Sequence, residues 1–327
     1  MEGVFTVNSV APGDYYVFAS VAGYLQPMNI VEAAFDAGAD LSKGIPGVPI
    51  VHVGAERTSE VDVTAERGAA ISGRVWWDDG APVSGAQVTT VSTKAKEDNL
   101  PLQFSMLAMG VGFGGGQVST SDDLGRFRIA GLVPGDYLVK VTLQTNWHFA
   151  IQGGVTKQDG TVVATPLTIY APATVHKAEA KAVTLHAAED RGDEEVTIKL
   201  AGMRTVSGRV TSLEDHHGLN GGTVKLEDSQ DKEFYRTACV DANGNFSVTF
   251  VPPGTYNLTV TNGADKEPSK KEQTGPVRYA IDHTLRSYQE GKQSVIVGDN
   301  DVTGLSIELA PSKTTKKDFD PNELLKN

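Results

Sequence analysis

Apolar and polar residues alternate in short runs along this chain, and turns interrupt the runs at fixed places. Phe127-Arg128-Ile129-Ala130 alternates, Pro134-Gly135 breaks the run, and Tyr137-Leu138-Val139-Lys140-Val141 resumes it. A period of two is that of a half-buried strand. Proline presets φ and glycine supplies φ > 0, so Pro-Gly is a turn with a mechanism. The reading is strand, turn, strand. The same arrangement, Gly-x-Phe, six residues, then Pro-Gly-x-Tyr, occurs three times. It stands at Gly3, Phe5, Pro12, Gly13, Tyr15; at Gly125, Phe127, Pro134, Gly135, Tyr137; and at Gly244, Phe246, Pro253, Gly254, Tyr256. Self-similarity of this kind marks a repeat architecture. These fifteen residues are expected to shape the turns and fill the cores.

Two further landmarks set the unit. Ile71-Ser72-Gly73-Arg74-Val75 and Val206-Ser207-Gly208-Arg209-Val210 open the second and third copies. Val61-Asp62-Val63, Val196-Thr197-Ile198 and Leu305-Ser306-Ile307-Glu308-Leu309 read as closing strands by their alternation. The expected organisation is a partial repeat at 1–66 lacking its opening strands and a complete repeat at 67–202. A second complete repeat follows at 203–311, then a polar tail at 312–327. Only Met1 and Glu2 precede Gly3, so the expectation is that the missing strands lie upstream in a longer native protein. Val31 to Ala39 and Ala173 to Ala182 are candidates for short helices.

Gly-Arg-Val, then Asp79 to Val88 as Asp-Gly-x-Pro-Val-x-Gly-Ala-x-Val, then the Pro-Gly-x-Tyr hairpin, resembles the carboxypeptidase regulatory-like domain. The likeness is fullest in the second copy. In the third, His216 to Gly222 replaces part of the opening, and the first matches only from its hairpin onward. The resemblance implies an all-β chain of tandem transthyretin-like (prealbumin-like) Greek-key β-sandwiches, the first incomplete. It implies architecture more than activity, since one fold hosts many functions. Some Gram-positive surface repeats of related fold carry Lys–Asn cross-links. Arg74 and Arg209 stand where those offer lysine, so no such cross-link is expected.

Composition fits this picture. The 35 glycines among 327 residues suit a chain with many turns. One cysteine, Cys239, excludes an intrachain disulfide, and its place in an apparent strand suggests a buried thiol. The net charge of −12 and the lack of a basic stripe argue against a nucleic-acid partner. No segment reads as a signal peptide or a transmembrane helix. The expected location is extracytoplasmic: secreted, periplasmic or cell-surface.

The second copy is 16 residues longer than the third between its opening and its hairpin, because Gly73 precedes Gly125 by 52 residues and Gly208 precedes Gly244 by 36. The surplus is an uncharged, Gly-rich insertion at about 100–116. Long apolar loops are often functional, and Phe104, Met106, Met109 and Phe113 are its candidate contacts with a partner. Trp76 and Trp147 are the candidates for stacking against sugar rings. Alternation along the opening strand sends Trp77 inward and Trp76 outward. His176-x-x-Glu179 with a distant His283 imitates a zinc-peptidase ligand set. Its halves lie in different repeats, and no metal or other cofactor is expected. Adjacent His216 and His217 make a poor chelate. Asp122-Asp123-Leu124-Gly125 and Asp241-Ala242-Asn243-Gly244 look like calcium-loop fragments without the full ligand spacing.

No catalytic residues emerge. The leading reading is a non-catalytic spacer or scaffold in an exported or cell-surface bacterial protein. The alternatives are a carbohydrate-binding module using exposed aromatics, and an accessory domain of a secreted peptidase or glycosidase. The partners expected are polysaccharide or another domain of the parent protein.

Overall fold

A computed structural model of the protein describes residues 3–55, 58–94, 118–143, 165–267, 271–274, 277–280 and 283–313. The insertion at 100–116, with Phe104, Met106, Met109 and Phe113, lies outside the described residues, as do Trp147 and nearly all of the tail. The chain folds into two compact units. One comprises Met1–Thr142, Thr168–Thr174 and Ala178–Ile198; the other comprises Leu143–Leu167, Val175–Lys177 and Lys199–Asn327.

The first unit contains β1 (Gly13–Tyr16), α1 (Pro27–Asp36), β2 (Ile50–Val53), β3 (Ala69–Trp77), β4 (Gln87–Ser92), β5 (Val118–Thr120), β6 (Arg126–Leu132), β7 (Gly135–Leu143), β8 (Leu167–Tyr170), β9 (Ala182–Leu185) and β10 (Asp190–Ile198). One sheet has the order β10-β3-β6; the other runs β5-β4-β7-β8, with β9 on β7. Alternation decides which residues face inward: Ile71, Val75, Phe127, Ile129, Val196 and Ile198 from the first sheet, Val88, Tyr137, Val139, Val141 and Leu185 from the second, all buried.

The second unit has the same plan. Its strands are β11 (Arg204–Ser212), β12 (Gly221–Asp228), β13 (Tyr235–Cys239), β14 (Asn245–Val251), β15 (Gly254–Glu267), β16 (Lys271–Thr274), β17 (Val277–Ala280), β18 (His283–Ser287), β19 (Gly291–Val297) and β20 (Val302–Leu309). The sheets are β14-β11-β20 and β13-β12-β15-β18, with β19 on β15. Val206, Val210, Phe246, Val248, Ile307 and Leu309 from one sheet pack with Val224, Leu226, Tyr256, Leu258, Val260 and Val295 from the other in one core. This is an all-β sandwich. Cys239, the chain's one cysteine, is buried in β13 and takes part in no intrachain disulfide.

The opening strand is central in each three-stranded sheet. β3 pairs antiparallel with β6 and parallel with β10; β11 pairs antiparallel with β14 and parallel with β20. Gly73 faces Phe127 and Gly208 faces Phe246 in register. The neighbouring closing strand bulges against both glycines. A Cβ on Gly73 would sit 1.7 Å from the Glu194 carbonyl oxygen, and one on Gly208 would sit 2.3 Å from that of Leu305. Only glycine fits such an approach.

The repeated hairpin turn has one geometry in three places. The tyrosine hydroxyl donates to the carbonyl four residues earlier: Tyr15 to Ala11 at 2.8 Å, Tyr137 to Val133 at 2.9 Å, Tyr256 to Pro252 at 2.8 Å. Ser9, Gly131 and Phe250, each three residues before the proline, all have left-handed φ of 58–81°. The strand that follows takes an identical antiparallel register: Gly13 opposite Val53, Gly135 opposite Leu185, Gly254 opposite Val297.

The first copy departs from expectation beyond its turn. Gly3 to Asn8 form no strand, and Phe5 is 54% exposed rather than in a core. Tyr15, 37% exposed, is likewise no core residue. Val61-Asp62-Val63 is not a strand either. Among the described residues no backbone hydrogen bond joins 3–10 or 60–65 to a neighbour, and without a ladder an alternating sequence does not become a strand. The helix expected at Val31–Ala39 runs from Pro27 to Asp36, because Pro27 at its first turn presets the backbone. Of the helix expected at Ala173–Ala182 only a single 3₁₀ turn at Lys177–Glu179 forms. Tyr170 and Thr174 pair with each other and draw that stretch into a tight turn.

Candidate functional site

Trp76 closes β3 in the first unit. Both Trp76 and Trp77 are half-buried; Trp77 pairs with buried Ile198, while Trp76 shares the face of exposed Arg74, so the two point as expected although neither is fully covered or fully exposed. The strand ends there: Trp77 N–H donates to the Ala81 carbonyl, and Pro82 pairs back with Trp76. The Arg74 guanidinium lies 5.7 Å from the centre of the Trp76 ring, a cation–π contact that occupies part of the indole.

The Asp-rich turns hold backbone. Asp122 Oδ1 accepts from the N–H groups of Leu124 and Arg126, at 3.0 and 2.8 Å, while its Oδ2 accepts from Arg126 Nε at 2.8 Å. The Arg126 amide leads the interactions that hold its carboxyl below the usual range. Asp241 Oδ1 accepts from Asn243 and Asn245 N–H groups in the same way, both at 2.8 Å. These are Asx-type turns, which explains why Asp recurs three residues before each glycine.

His176 and Glu179 engage different groups. His176 Nδ1 lies 2.9 Å from Asp231 Oδ2, and Glu179 accepts from the Thr174 hydroxyl at 2.8 Å.

The most convergent polar cluster is built on the histidine pair that sequence reasoning set aside as a poor chelate. His217 Nδ1 lies 2.5 Å from Asp215 Oδ1, and its Nε2 lies 2.9 Å from Asp265 Oδ1. An imidazole with both nitrogens facing carboxylates is held as the cation. Its pKa is raised, first by the bond to Asp265 and then by that to Asp215, and Asp215 is lowered in return, first by His217. The Tyr288 hydroxyl donates to Asp265 Oδ2 at 2.8 Å, and its ring meets His217 edge-on. Arg286 stacks over Tyr288 and donates to Glu214 at 2.6 Å. His216 pairs with Glu308 at 2.9 Å. The cluster latches the Glu214–His217 turn onto β15 and β18. The adjacent histidines and Asp215 were visible in sequence, whereas Asp265, 48 residues on, gave no signal.

Arg236 was missed as well. It is 1% exposed, and donates from Nε to the Thr249 carbonyl at 3.1 Å and from Nη1 to that of Pro166 at 2.8 Å. Among the described residues its Nη2 has no hydrogen-bond partner, and burial lowers its pKa to about 10. Held by two carbonyls from distant segments, this long cation is a strut within the second unit.

The first unit also carries an apolar groove of about 580 Å³ lined by Val17, Phe18, Leu25, Ile30, Val48 and Val63 among others. It borders a small cluster of Val31, Leu41 and Ile45 under α1.

Comparison with known proteins follows this geometry. Residues 205–310 match the carboxypeptidase regulatory-like domain, a stretch that covers β11 to β20 almost to the residue. No curated protein matches the chain. Among solved structures, a streptococcal ancillary pilin is similar over 93% of this chain and 77% of its own, at 12% identity and a TM-score of 0.28. A shaft pilin, SpaA, from Lactobacillus rhamnosus GG is similar over 76% of this chain and all of its own, at 11% identity and a TM-score of 0.26. A putative carbohydrate binding protein from Pseudomonas aeruginosa is similar over 34% of this chain and 90% of its own, at 14% identity and a TM-score of 0.21. Scores this low carry no argument about the present chain.

Proposed function

We propose that this chain is a non-catalytic structural module, a tandem β-sandwich spacer or scaffold in an exported or cell-surface protein. One observation carries the reading: the same tyrosine-to-carbonyl bond and the same strand register recur at all three Pro-Gly-x-Tyr sites. What repeats is a framework for holding strands. The polar groups singled out in the sequence support it, since Asp122, Asp241, His176 and His217 each secure a turn or join two segments. The regulatory-like match over residues 205–310 agrees with a module that carries no chemistry of its own. The location is the extracytoplasmic one expected from the sequence.

Affinity electrophoresis through a panel of polysaccharides, with retention assays on insoluble ones, tests this reading. The wild-type chain and Trp76→Ala are expected to migrate and elute alike, with no retention. Retention of the wild type that is lost in Trp76→Ala would replace the spacer with a carbohydrate-binding module that stacks sugar on Trp76.

A further inference from the structure

The apolar groove of the first unit lies where the first and second copies meet, and its walls are fastened to their neighbours. Val17 N–H donates to the Pro49 carbonyl at 3.1 Å, and Leu25 N–H to that of Glu66 at 2.8 Å; all four residues line the groove. The Asn29 side chain, 2% exposed, donates to the Gly131 carbonyl at 2.6 Å and ties α1 to the end of β6, just before Val133. Phe18, Ile30, Ala34, Ala39 and Val48 line the groove and also pack against the small core of Val31, Leu41 and Ile45. The walls are therefore set before any ligand arrives, as in most small-molecule sites. The opening itself is written into the helix. Ile30, Ala33, Ala34 and Ala37 of α1 line it, the i, i+3, i+4, i+7 face. Three of the four are alanine, where larger side chains would fill the space. About 580 Å³ remains, within the roughly 300–1,000 Å³ that takes one small organic ligand.

Charge says which kind of ligand. Glu66 is the one ionisable side chain among the lining residues, and it is exposed. The adjacent Arg67 acts on Asp190, whose carboxyl is held low chiefly by the bond from Arg128 and in smaller part by Arg67. Lys43, the nearest other cation in sequence to the lining loop 46–49, is paired with Asp40 at 3.2 Å. Glu32 and Asp36 lie on α1 itself, and its last turn holds no basic residue. Residues 3–66 together carry eight acidic side chains against two basic ones, Lys43 and Arg57, which is half of the chain's net charge of −12. Such a field draws cations and repels anions. We propose that the groove binds a small amphipathic cation, its apolar body laid against Ile30, Ala33, Ala34 and Ala37 and its amine at Glu66. The site goes beyond the spacer reading and does not depend on it, since a module inert towards polysaccharide can hold a small amine.

The test is titration calorimetry and hydrogen exchange on the full chain with decylamine, decanol and decanoate, three probes that share one apolar chain and differ in charge. Decylamine is expected to bind about threefold more tightly than decanol and about tenfold more tightly than decanoate, the scale of one exposed charge contact. It should slow exchange at residues 17–19, 30–39 and 63–66 together. Glu66→Gln should lower decylamine to the affinity of decanol. Ala34→Trp, its fold checked by unchanged exchange in β3, β6 and β10, should abolish binding of all three. No binding of any probe, or decylamine binding that survives both substitutions unchanged, overturns the site. Equal affinity for the three probes, or preference for decanoate, overturns the cationic ligand. Concentration-dependent protection of the same segments in the chain alone overturns the small molecule in favour of a second copy.

Discussion

Phe5 and Phe246 sit in the same short motif, yet one is more than half exposed and the other is 3% exposed. Around each, everything local agrees: the left-handed residue four positions on, the tyrosine hydroxyl bonded to the carbonyl four residues back, the antiparallel partner of the Pro-Gly strand. Around each, everything distant differs. Phe246 has β11 beside it and β20 beyond that, while Phe5 has neither counterpart. The motif therefore builds a turn without help, but it buries its phenylalanine only where a central strand closes the sheet. A sandwich core belongs to the sheet pair, not to the hairpin.

The largest expected break in this comparison is truncation of the phenylalanines. Phe127→Ala and Phe246→Ala should each lose about 3–5 kcal/mol in a denaturant melt of their own unit. Phe5→Ala should change stability by less than about 0.5 kcal/mol, as exposed substitutions do. A loss at Phe5 as large as at Phe246 would mean that the first copy is closed in solution.

Removing the tyrosine hydroxyls sharpens the comparison at a smaller scale. Tyr256→Phe and Tyr137→Phe should each lose about 1 kcal/mol, the worth of one hydrogen bond in a buried setting. Tyr15→Phe, at a site 37% exposed, should be nearly silent, because water replaces the bond. Burial, with Glu32 and Asp36 nearby, lifts the Tyr137 phenol to about 12. Ultraviolet titration should therefore find Tyr137 still protonated where exposed tyrosines have ionised.

The smallest effect separates the second unit from the first by pH. His217 has a raised pKa, so its bonds to Asp265 and Asp215 stabilise fully below the unfolded value of about 6.5 and fade as pH rises through the folded value. Asp215 is lowered, so its share is present above the unfolded carboxyl value and fades as pH falls. The latch is strongest in mildly acidic solution. The midpoint of the second unit should fall slightly from pH 6 to pH 9, and His217→Gln should flatten that slope. An unchanged slope in the variant would assign it to another group. Arg286, Tyr288 and Glu214 face the same cluster and stay in place in this experiment.

Much of the fold was legible because its signals are local. Period-two alternation placed β6, β7, β10 and β20, and Pro-Gly-x-Tyr placed the turns, since both depend on a few adjacent φ and ψ angles. The burial of Phe5 and the strand at Val61–Val63 were misjudged for one reason: an alternating sequence states which face is apolar but not whether anything covers it. Parity gave the faces of Trp76 and Trp77 but not how far each is covered, because Pro82 folds back onto the strand end. The latch of His217 onto Asp265 and the role of Arg236 escaped because the partners, Asp265 and the carbonyls of Thr249 and Pro166, are distant or carry no sequence signature.

By itself, then, the sequence determined the alternating strands and the thrice-repeated turn, because proline, glycine and the tyrosine six residues after the left-handed position constrain the backbone within one hairpin. The tertiary structure alone decided which strands lie side by side. The parallel pairing that brings a bulged carbonyl against Gly73 and Gly208 and the carboxylates about His217 were settled there, as was the exposure of Phe5. Each joins segments far apart in the chain, or depends on a neighbour, and such pairing becomes definite only when the sheets close around a core.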